Sequence, residues 1–190
     1  MNTAIITLDF INEICHEKGK LAQYVDRIEA NNVISNANQL IEWGRKRGHL
    51  IGHVRVGFRA DHKEIASVSP LFSGAKANNA LVLDSWGGAF CESLNREVTD
   101  VSIIKHRVSA FYGTELDLML RANRIERLIL CGVSTNNAVE LTAREAHDRD
   151  YQVILVTDAC ETNTDEEQAA SLRFLSRIAQ LSTVNEVTAS

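Results

Sequence analysis

The stretch Leu130-Cys131-Gly132-Val133-Ser134-Thr135-Asn136-Asn137-Ala138-Val139 decides which fold this chain predicts. The apolar run over residues 127–131 predicts a buried strand, Gly132 begins a turn, and residues 139–147 predict a helix rich in small side chains. This order is the layout of a turn that presents a nucleophile, but position 138 holds alanine. Ala138 has no thiol, hydroxyl or acidic proton, so other side chains must supply any chemistry.

Similar apolar runs recur on both sides of this stretch. They predict strands over residues 4–8, 50–56, 101–104 and 152–156, with a sixth near residues 181–184. Apolar residues at helical spacing predict helices over residues 32–43, over residues 116–120 with Thr114 as the cap, and over residues 169–178. Thr164, Asp165 and Glu167 resemble a capping box at the start of the last helix. Strands and helices therefore alternate along the chain.

This alternation predicts the fold class. Strands separated by helices pair in parallel through right-handed crossovers. We therefore predict an α/β fold, a three-layer Rossmann-like sandwich with a mostly parallel six-stranded sheet, formed by residues 1–190 as a single domain. Residues 57–100 are the exception, since they hold Pro70 and four glycines in an irregular stretch typical of a lid or binding loop.

Composition excludes several classes of protein. The net charge of −5 argues against nucleic-acid binding, which needs clustered positive charge, and 45% hydrophobic residues suffice for a large core. No apolar run approaches the roughly 20 residues that cross a bilayer, and the amino terminus lacks the basic region of a signal peptide. The four cysteines have no CxxC spacing and predict free thiols in a reducing compartment, namely Cys15, Cys91, Cys131 and Cys160. We expect a cytoplasmic protein with no nucleic-acid or membrane partner.

Three candidate functional positions follow predicted strands: Asp9, Lys105 and the turn that leads to Ala138. Each has an ordinary structural explanation, since an aspartate can cap a helix, a lysine can reach solvent and the turn can serve only as a cap. In open parallel sheets, however, ligands bind at the carboxyl ends of the strands, where strand order reverses. The joint occurrence of Asp9, Lys105 and the Ala138 turn at three strand ends therefore indicates a functional site.

Four motifs, in this order, carry a resemblance to a known family. They are Leu8-Asp9-Phe10-Ile11-Asn12; Ile104-Lys105 with Ser109-Ala110-Phe111-Tyr112-Gly113-Thr114; Leu130-Cys131-Gly132-Val133-Ser134-Thr135-Asn136 with Val139-Glu140-Leu141-Thr142-Ala143-Arg144-Glu145-Ala146; and Val156-Thr157-Asp158-Ala159-Cys160. The chain resembles the isochorismatase-like, or cysteine hydrolase, superfamily over nearly its whole length. That superfamily includes nicotinamidases, N-carbamoylsarcosine amidohydrolases and isochorismatases.

The resemblance implies roles for particular residues. Asp9 and Lys105 match two members of the family's Asp-Lys-Cys triad, and the third position falls on Ala138, a vacant nucleophile position. It also implies a cis peptide between Val133 and Ser134. The backbone N–H groups of Ser134 and Ala138 would then form an oxyanion hole that needs no side chain. Asn137 is placed with these residues in the oxyanion and substrate-binding region.

The same resemblance bears on metal binding. Nicotinamidases of this family carry Asp-x-His after the second strand, whereas this chain reads His53-Val54-Arg55 there, and Asp61-His62 lacks the spacing. We therefore expect no metal ion and no cofactor.

Four further side chains are candidates for substrate contact. Arg55 suits a carboxylate because of its planar fork, although an ion pair with a neighbouring acid explains it equally well. Trp86, Phe111 and Tyr112 either line an apolar pocket or pack within loops.

Isochorismatases of this superfamily lack the cysteine but keep the aspartate and lysine, and they hydrolyse a vinyl ether with water as the attacking species. We therefore predict an isochorismatase-like hydrolase that acts on a small, anionic metabolite by water attack assisted by Asp9 and Lys105. Whether Asp9 acts as acid or base stays open, because a nearby ammonium favours its ionised form. Two alternatives remain: an amidase whose cysteine was replaced in evolution or deliberately, and a non-catalytic binding or scaffold protein. Family members are commonly homo-oligomers, which we also expect here.

Overall fold

The protein, described over residues 1–189 by a computed structural model, is built on six parallel strands in the order β3-β2-β1-β4-β5-β6. The strands are β1 (Thr3–Leu8), β2 (Leu50–Val56), β3 (Val101–Lys105), β4 (Arg127–Val133), β5 (Gln152–Glu161) and β6 (Gln180–Ser182). The chain adds β2 and β3 on one side of β1 and then adds β4 on the other. The order therefore reverses between β1 and β4, where such sheets form a crevice at the carboxyl ends of their strands.

Helices connect the strands. They are α1 (Asn12–Cys15), α2 (Val25–Ala30), α3 (Val33–Lys46), α4 (Pro70–Ala77), α5 (Leu116–Ala122), α6 (Glu140–Asp148), α7 (Asp165–Leu175) and α8 (Val184–Thr188). The predicted α/β fold with a six-stranded sheet is confirmed. Of the helices within residues 1–189, none combines the length and apolar character that a bilayer crossing requires.

The apolar pattern of the strands explains the layers. All residues of β1 are buried, and so are all of β4 after its first residue, because both faces of the sheet are covered. On α3, the buried residues Val33, Ala37, Leu40 and Ile41 recur at helical spacing and form the face that packs on the sheet. Arg45 and Lys46 lie in its last turn, where cations complement the helix dipole.

Several element boundaries differ from those predicted. Strand β5 continues past Val156 to Glu161, because a register shift after Leu130 lets Gly132 and Val133 of β4 pair with its second half. Strand β6 ends at Ser182, and Val184 already begins α8. The hydroxyl of Thr114 accepts the N–H of Leu116 at 3.2 Å, although Glu115 occupies the N-cap position of α5.

The turn after β4 contains an element that the sequence does not reveal. Thr135–Val139 forms a single π-helical turn before α6 begins at Glu140. Such turns occur frequently at functional sites. Gly132, just before it, has φ +141°, and a Cβ there would lie 2.3 Å from the carbonyl oxygen of Leu8. Glycine at 132 therefore allows β4 and β1 to approach each other beside the crevice.

Residues 57–100, expected as an irregular lid or binding loop, are partly ordered into secondary structure. They contain α4, whose first turn is capped by the Ser69 hydroxyl, and an isolated bridge pairs Phe58 with Val82. Their apolar residues form a second, smaller core around Phe58, Ala80 and Leu81. Packing of this kind gives the segment a defined position above the carboxyl end of β2.

Candidate active site

Asp9 and Lys105 meet at the crevice. Lys105 Nζ lies 2.8 Å from Asp9 Oδ2, and the two side chains are only 2% and 4% exposed. Asp9 follows β1 and Lys105 ends β3, so the parallel sheet brings residues that are distant in sequence to one edge. The two charges therefore form a buried ion pair.

Backbone groups fix the orientation of this pair. The Val56 N–H donates to Asp9 Oδ1 at 2.6 Å, and the Asp9 N–H donates to the Val54 carbonyl at 2.9 Å. Asp9 has φ +58°, a left-handed conformation that aspartate tolerates better than most residues. Lys105 Nζ donates further to the Arg107 carbonyl at 3.3 Å. Both charged groups are thus held from more than one side.

Burial changes the acidity of Asp9. Removal from water raises the pKa of its carboxyl group above 3.8, its ordinary value, while Lys105 and the Val56 N–H oppose that rise. The direction matters for chemistry, because a carboxylate with a raised pKa is a stronger proton acceptor than an exposed one.

The pair opens into a cavity of about 360 Å³. Residues from the turn after β4 form one wall, and these are Val133, Ser134, Asn137 and Ala138. Opposite them lie side chains of α4, including Leu71, Phe72 and Ala75. Apart from Asp9 and Lys105, the residues that line the cavity are uncharged.

The turn wall has the geometry that the family resemblance implies at one point: the Val133–Ser134 peptide is cis. Within the same wall, the Asn137 side-chain amide donates to Ser134 Oγ at 3.0 Å. The methyl group of Ala138 is buried and lines the cavity together with Asp9. The structure therefore brings six of the ten predicted site residues together; the roles given to them stay predictions.

The other four predicted contacts lie outside this cavity. Arg55 Nη1 donates to the Gly88 carbonyl at 2.6 Å, and its guanidinium lies over Phe90, so main-chain and ring contacts hold it away from the crevice. Trp86 is 50% exposed and packs on His16 beside a separate small cavity.

Phe111 and Tyr112 are likewise displaced from the crevice. Phe111 is buried in the main core, with its ring stacked on Tyr151 at a centroid distance of 6.1 Å. Tyr112 is exposed to solvent. The structure therefore places Arg55, Trp86, Phe111 and Tyr112 outside this cavity, in packing and surface positions, and their contact with a substrate stays a prediction.

Other residues take their place. Tyr24 lines the cavity, and burial raises the pKa of its phenol, a rise that Ser134 opposes. Gln23, Asn78 and Asn163 add uncharged amide groups to the lining. The sequence offers little signal for these residues, since Tyr24 precedes a helix of six residues and Asn78 follows α4 within the stretch that lacks periodicity.

The histidines near the second strand are engaged elsewhere. His53 is fully buried, with Nδ1 2.8 Å from the Thr7 hydroxyl and Nε2 3.0 Å from Asp100 Oδ2. His62 Nε2 lies 2.9 Å from the Ala80 carbonyl. Within residues 1–189, no three His, Cys, Asp or Glu side chains are grouped as metal ligands. The absence of a metal and of a cofactor stays a prediction.

Comparison with known proteins identifies the family to which the chain is similar. The isochorismatase domain model matches residues 3–186. An uncharacterized isochorismatase family protein of Bacillus subtilis, YwoC, is 37% identical over 149 residues, covering 77% of this chain and 76% of the relative. The ureidoacrylate amidohydrolase RutB of Methylorubrum extorquens is 40% identical over 170 residues, covering 83% of this chain and 68% of the relative.

A further relative and a solved structure extend the comparison. A probable inactive nicotinamidase of Arabidopsis thaliana is 27% identical over 191 aligned positions, covering 93% of this chain and 89% of the relative. The crystal structure of an isochorismatase-like hydrolase from Alkaliphilus metalliredigens matches with a TM-score of 0.82 and 26% identity, covering 99% of this chain and 98% of that one. The similarity therefore extends over nearly the entire fold.

Proposed function

The chain belongs to the isochorismatase family of hydrolases, and we propose that it hydrolyses a small, uncharged metabolite by water attack, with Asp9 as the base and Lys105 as the adjoining positive charge. The observation that carries this proposal is the buried ion pair, 2.8 Å long, at the floor of a cavity that Ala138 also lines. Alanine at 138 supplies no nucleophile, so the attacking oxygen has to come from water.

The proposed step is a proton transfer coupled to attack. As the water oxygen forms a bond to the electrophilic carbon of the substrate, its proton passes to the Asp9 carboxylate. Lys105 stabilises the negative charge that develops on the substrate oxygen, and we place the backbone N–H groups of Ser134 and Ala138 beside that oxygen as an oxyanion hole. A base is most effective when its pKa lies near the working pH, and burial moves Asp9 in that direction.

The charge of the cavity supports an uncharged substrate. Asp9 and Lys105 neutralise each other, and the remaining lining is apolar or carries amide and hydroxyl groups. The expectation of an anionic metabolite rests on the resemblance to isochorismatases and on Arg55, and the Arg55 guanidinium is bound to the Gly88 carbonyl outside the cavity. A substrate carboxylate would therefore enter without a free cation to pair with it, which is costly in a buried site.

A panel assay tests this proposal. Hydrolysis is measured for nicotinamide and other uncharged amides and ureides, and for carboxylate-bearing compounds that include ureidoacrylate and isochorismate. We expect the uncharged members to be turned over with the higher kcat/KM. Faster turnover of the carboxylate-bearing members would contradict the proposed substrate class. If some members bind measurably but none is turned over, the non-catalytic alternative would be favoured.

The pH dependence of turnover checks the role of Asp9. A base must be ionised, so the rate is expected to fall as the pH falls through the pKa of Asp9. Because burial raises that pKa above 3.8, the acidic limb should lie at higher pH than for an exposed aspartate. The pH profile of kcat/KM measures this limb, with the exposed Asp26→Asn variant as the matched control. A rate that instead falls as pH rises through this pKa would assign Asp9 as the acid.

The second candidate function is an amidase whose cysteine was replaced, and Ala138→Cys tests it. A thiol at position 138 would face the cavity beside Lys105, so we expect iodoacetamide to alkylate it about tenfold faster than Cys131 and Cys160, which are enclosed in the sheet. The control is Ala146→Cys, on a buried face of α6 outside the cavity. Ureidoacrylate or nicotinamide hydrolysis gained only in the Ala138→Cys variant would support descent from an amidase; alkylation without hydrolysis would argue against it.

Assembly and location extend the same proposal. We propose a cytoplasmic homo-oligomer with a small molecule, rather than a nucleic acid or a membrane, as its partner. The exposed apolar surface of Val68 and Leu71 near the cavity supports the homo-oligomer. The net charge of −5 argues against a nucleic-acid partner. Light scattering coupled to size exclusion measures the mass, and a value of 21.1 kDa, that of one chain, would overturn the oligomer.

A further inference from the structure

Two of the four cysteines, Cys15 and Cys91, lie side by side outside the cavity described above. Cys15 ends α1, and Cys91 lies opposite Phe10, whose carbonyl accepts the Cys91 N–H at 3.0 Å. Both thiols line a separate cavity of about 300 Å³ that also contacts His16 and Trp86. They are 9% and 7% exposed, so this cavity gives a small reagent a path to them.

The two thiols influence each other directly. The interaction of the two thiols lowers the pKa of Cys91 and raises the pKa of Cys15. The Cys15 thiol donates its one hydrogen to the Asp9 carbonyl, at a distance of 3.8 Å. The pair therefore contains one thiol that ionises more readily and one that keeps its proton, which are the properties of an attacking and a resolving cysteine.

We propose that Cys15 and Cys91 form a modification site that hydrogen peroxide oxidises to a disulfide. In the first step the Cys91 thiolate attacks the peroxide: an S–O bond forms, the O–O bond breaks, and the hydroxide that leaves takes up the proton that the Cys91 thiol released, giving water. In the second step the Cys15 sulfur attacks Cys91, an S–S bond forms, and the sulfenic oxygen leaves as water with the Cys15 proton. The peroxide is reduced to two molecules of water and the two thiols are oxidised; an added dithiol reverses the reaction.

The remaining cysteines provide an internal comparison. Cys131 lies in β4 and Cys160 in β5, both enclosed by the sheet and its helices. Burial raises the pKa of both thiols, that of Cys160 to about 12. They should stay reduced under conditions that oxidise the Cys15–Cys91 pair. Neither sulfur lines the cavity that holds the Asp9–Lys105 pair, so the site is separate from that cavity.

The test uses the full chain and hydrogen peroxide. After a graded treatment, free thiols are alkylated and peptides are mapped by mass spectrometry without reductant. We expect an intramolecular link between the peptides that carry Cys15 and Cys91, formed about tenfold faster than any loss of the Cys131 or Cys160 thiols. Dithiothreitol should restore all four thiols.

Two variants separate the steps. Cys15→Ser should leave Cys91 as a sulfenic acid that dimedone labels, whereas Cys91→Ser should abolish both the link and the label. The proposal would be overturned if all four thiols were lost at equal rates, or if links formed only between separate chains. It would also be overturned if dimedone labelled Cys15 in the Cys91→Ser variant at the rate expected of Cys91.

Discussion

Lys105→Met is expected to lower the free energy of unfolding by about 3–5 kcal/mol at neutral pH, because it leaves the Asp9 carboxylate buried without its cation. Methionine matches the length of the lysine stem and keeps its apolar packing. Urea unfolding followed by circular dichroism measures the change. Lys63→Met is the matched control, since Lys63 is paired with Asp61 in solvent and should contribute little.

The same variant should show a characteristic pH dependence. Without Lys105, the pKa of Asp9 in the folded protein rises further above its value in the unfolded chain. A carboxyl group whose pKa is higher in the folded than in the unfolded chain holds its proton more tightly in the folded state. Its contribution to the free energy of unfolding is fully present below the unfolded pKa and is lost as pH rises through the folded pKa. The deficit of Lys105→Met should therefore be small in acid and grow towards neutral pH.

A double variant completes the test of the ion pair. Asp9→Asn combined with Lys105→Met leaves no unpaired buried charge, so it should recover part of the stability that Lys105→Met alone loses. The buried ion pair would be contradicted if the Lys105→Met protein were as stable as the parent at every pH. It would also be contradicted if the double variant lost more free energy of unfolding than the two single variants lose together.

Asp9→Asn is expected to lower kcat by roughly 10²–10⁴-fold, the contribution usual for a positioned general base. Asparagine has the same shape, and its Oδ1 can still accept the Val56 N–H, so the strand end should keep its conformation. The assay uses the best substrate from the panel, with KM or a calorimetric Kd measured in parallel. Loss of kcat with little change in binding would show that the carboxylate acts in the chemical step.

The control for this prediction is Asp26→Asn, which removes an exposed carboxylate on α2. Its kcat should equal that of the parent. If Asp9→Asn keeps kcat within about twofold while the circular dichroism spectrum is unchanged, Asp9 has no role as a base, since a positioned base contributes far more than this.

The sequence predicts the sheet and its chemistry better than the walls of the cavity. Apolar runs mark β1 and β4, because strands buried on both faces are largely hydrophobic. Their positions at strand ends place Asp9 and Lys105 at one edge of the sheet, since parallel strands share a carboxyl edge, and the resemblance to the family's triad predicts that they pair.

The remainder of the site escapes sequence analysis for physical reasons. Tyr24 lies just before α2, a helix of six residues that is too short to show periodicity, and α4 is an eight-residue helix inside a stretch with proline and glycine. Side-chain direction also matters: Phe111 follows β3 closely in sequence but turns into the core against Tyr151. Short elements and loop orientation depend on tertiary packing, which no local pattern encodes.

The position of α4 has a consequence for how such a molecule can diversify. The ion pair belongs to the sheet, whereas Leu71, Phe72 and Ala75 come from a segment inserted between β2 and β3. If the proposed function holds, reactivity and selectivity therefore depend on separate segments of the chain. Exchanging the insert alone then offers protein engineers a route to new specificities with the ion pair unaltered.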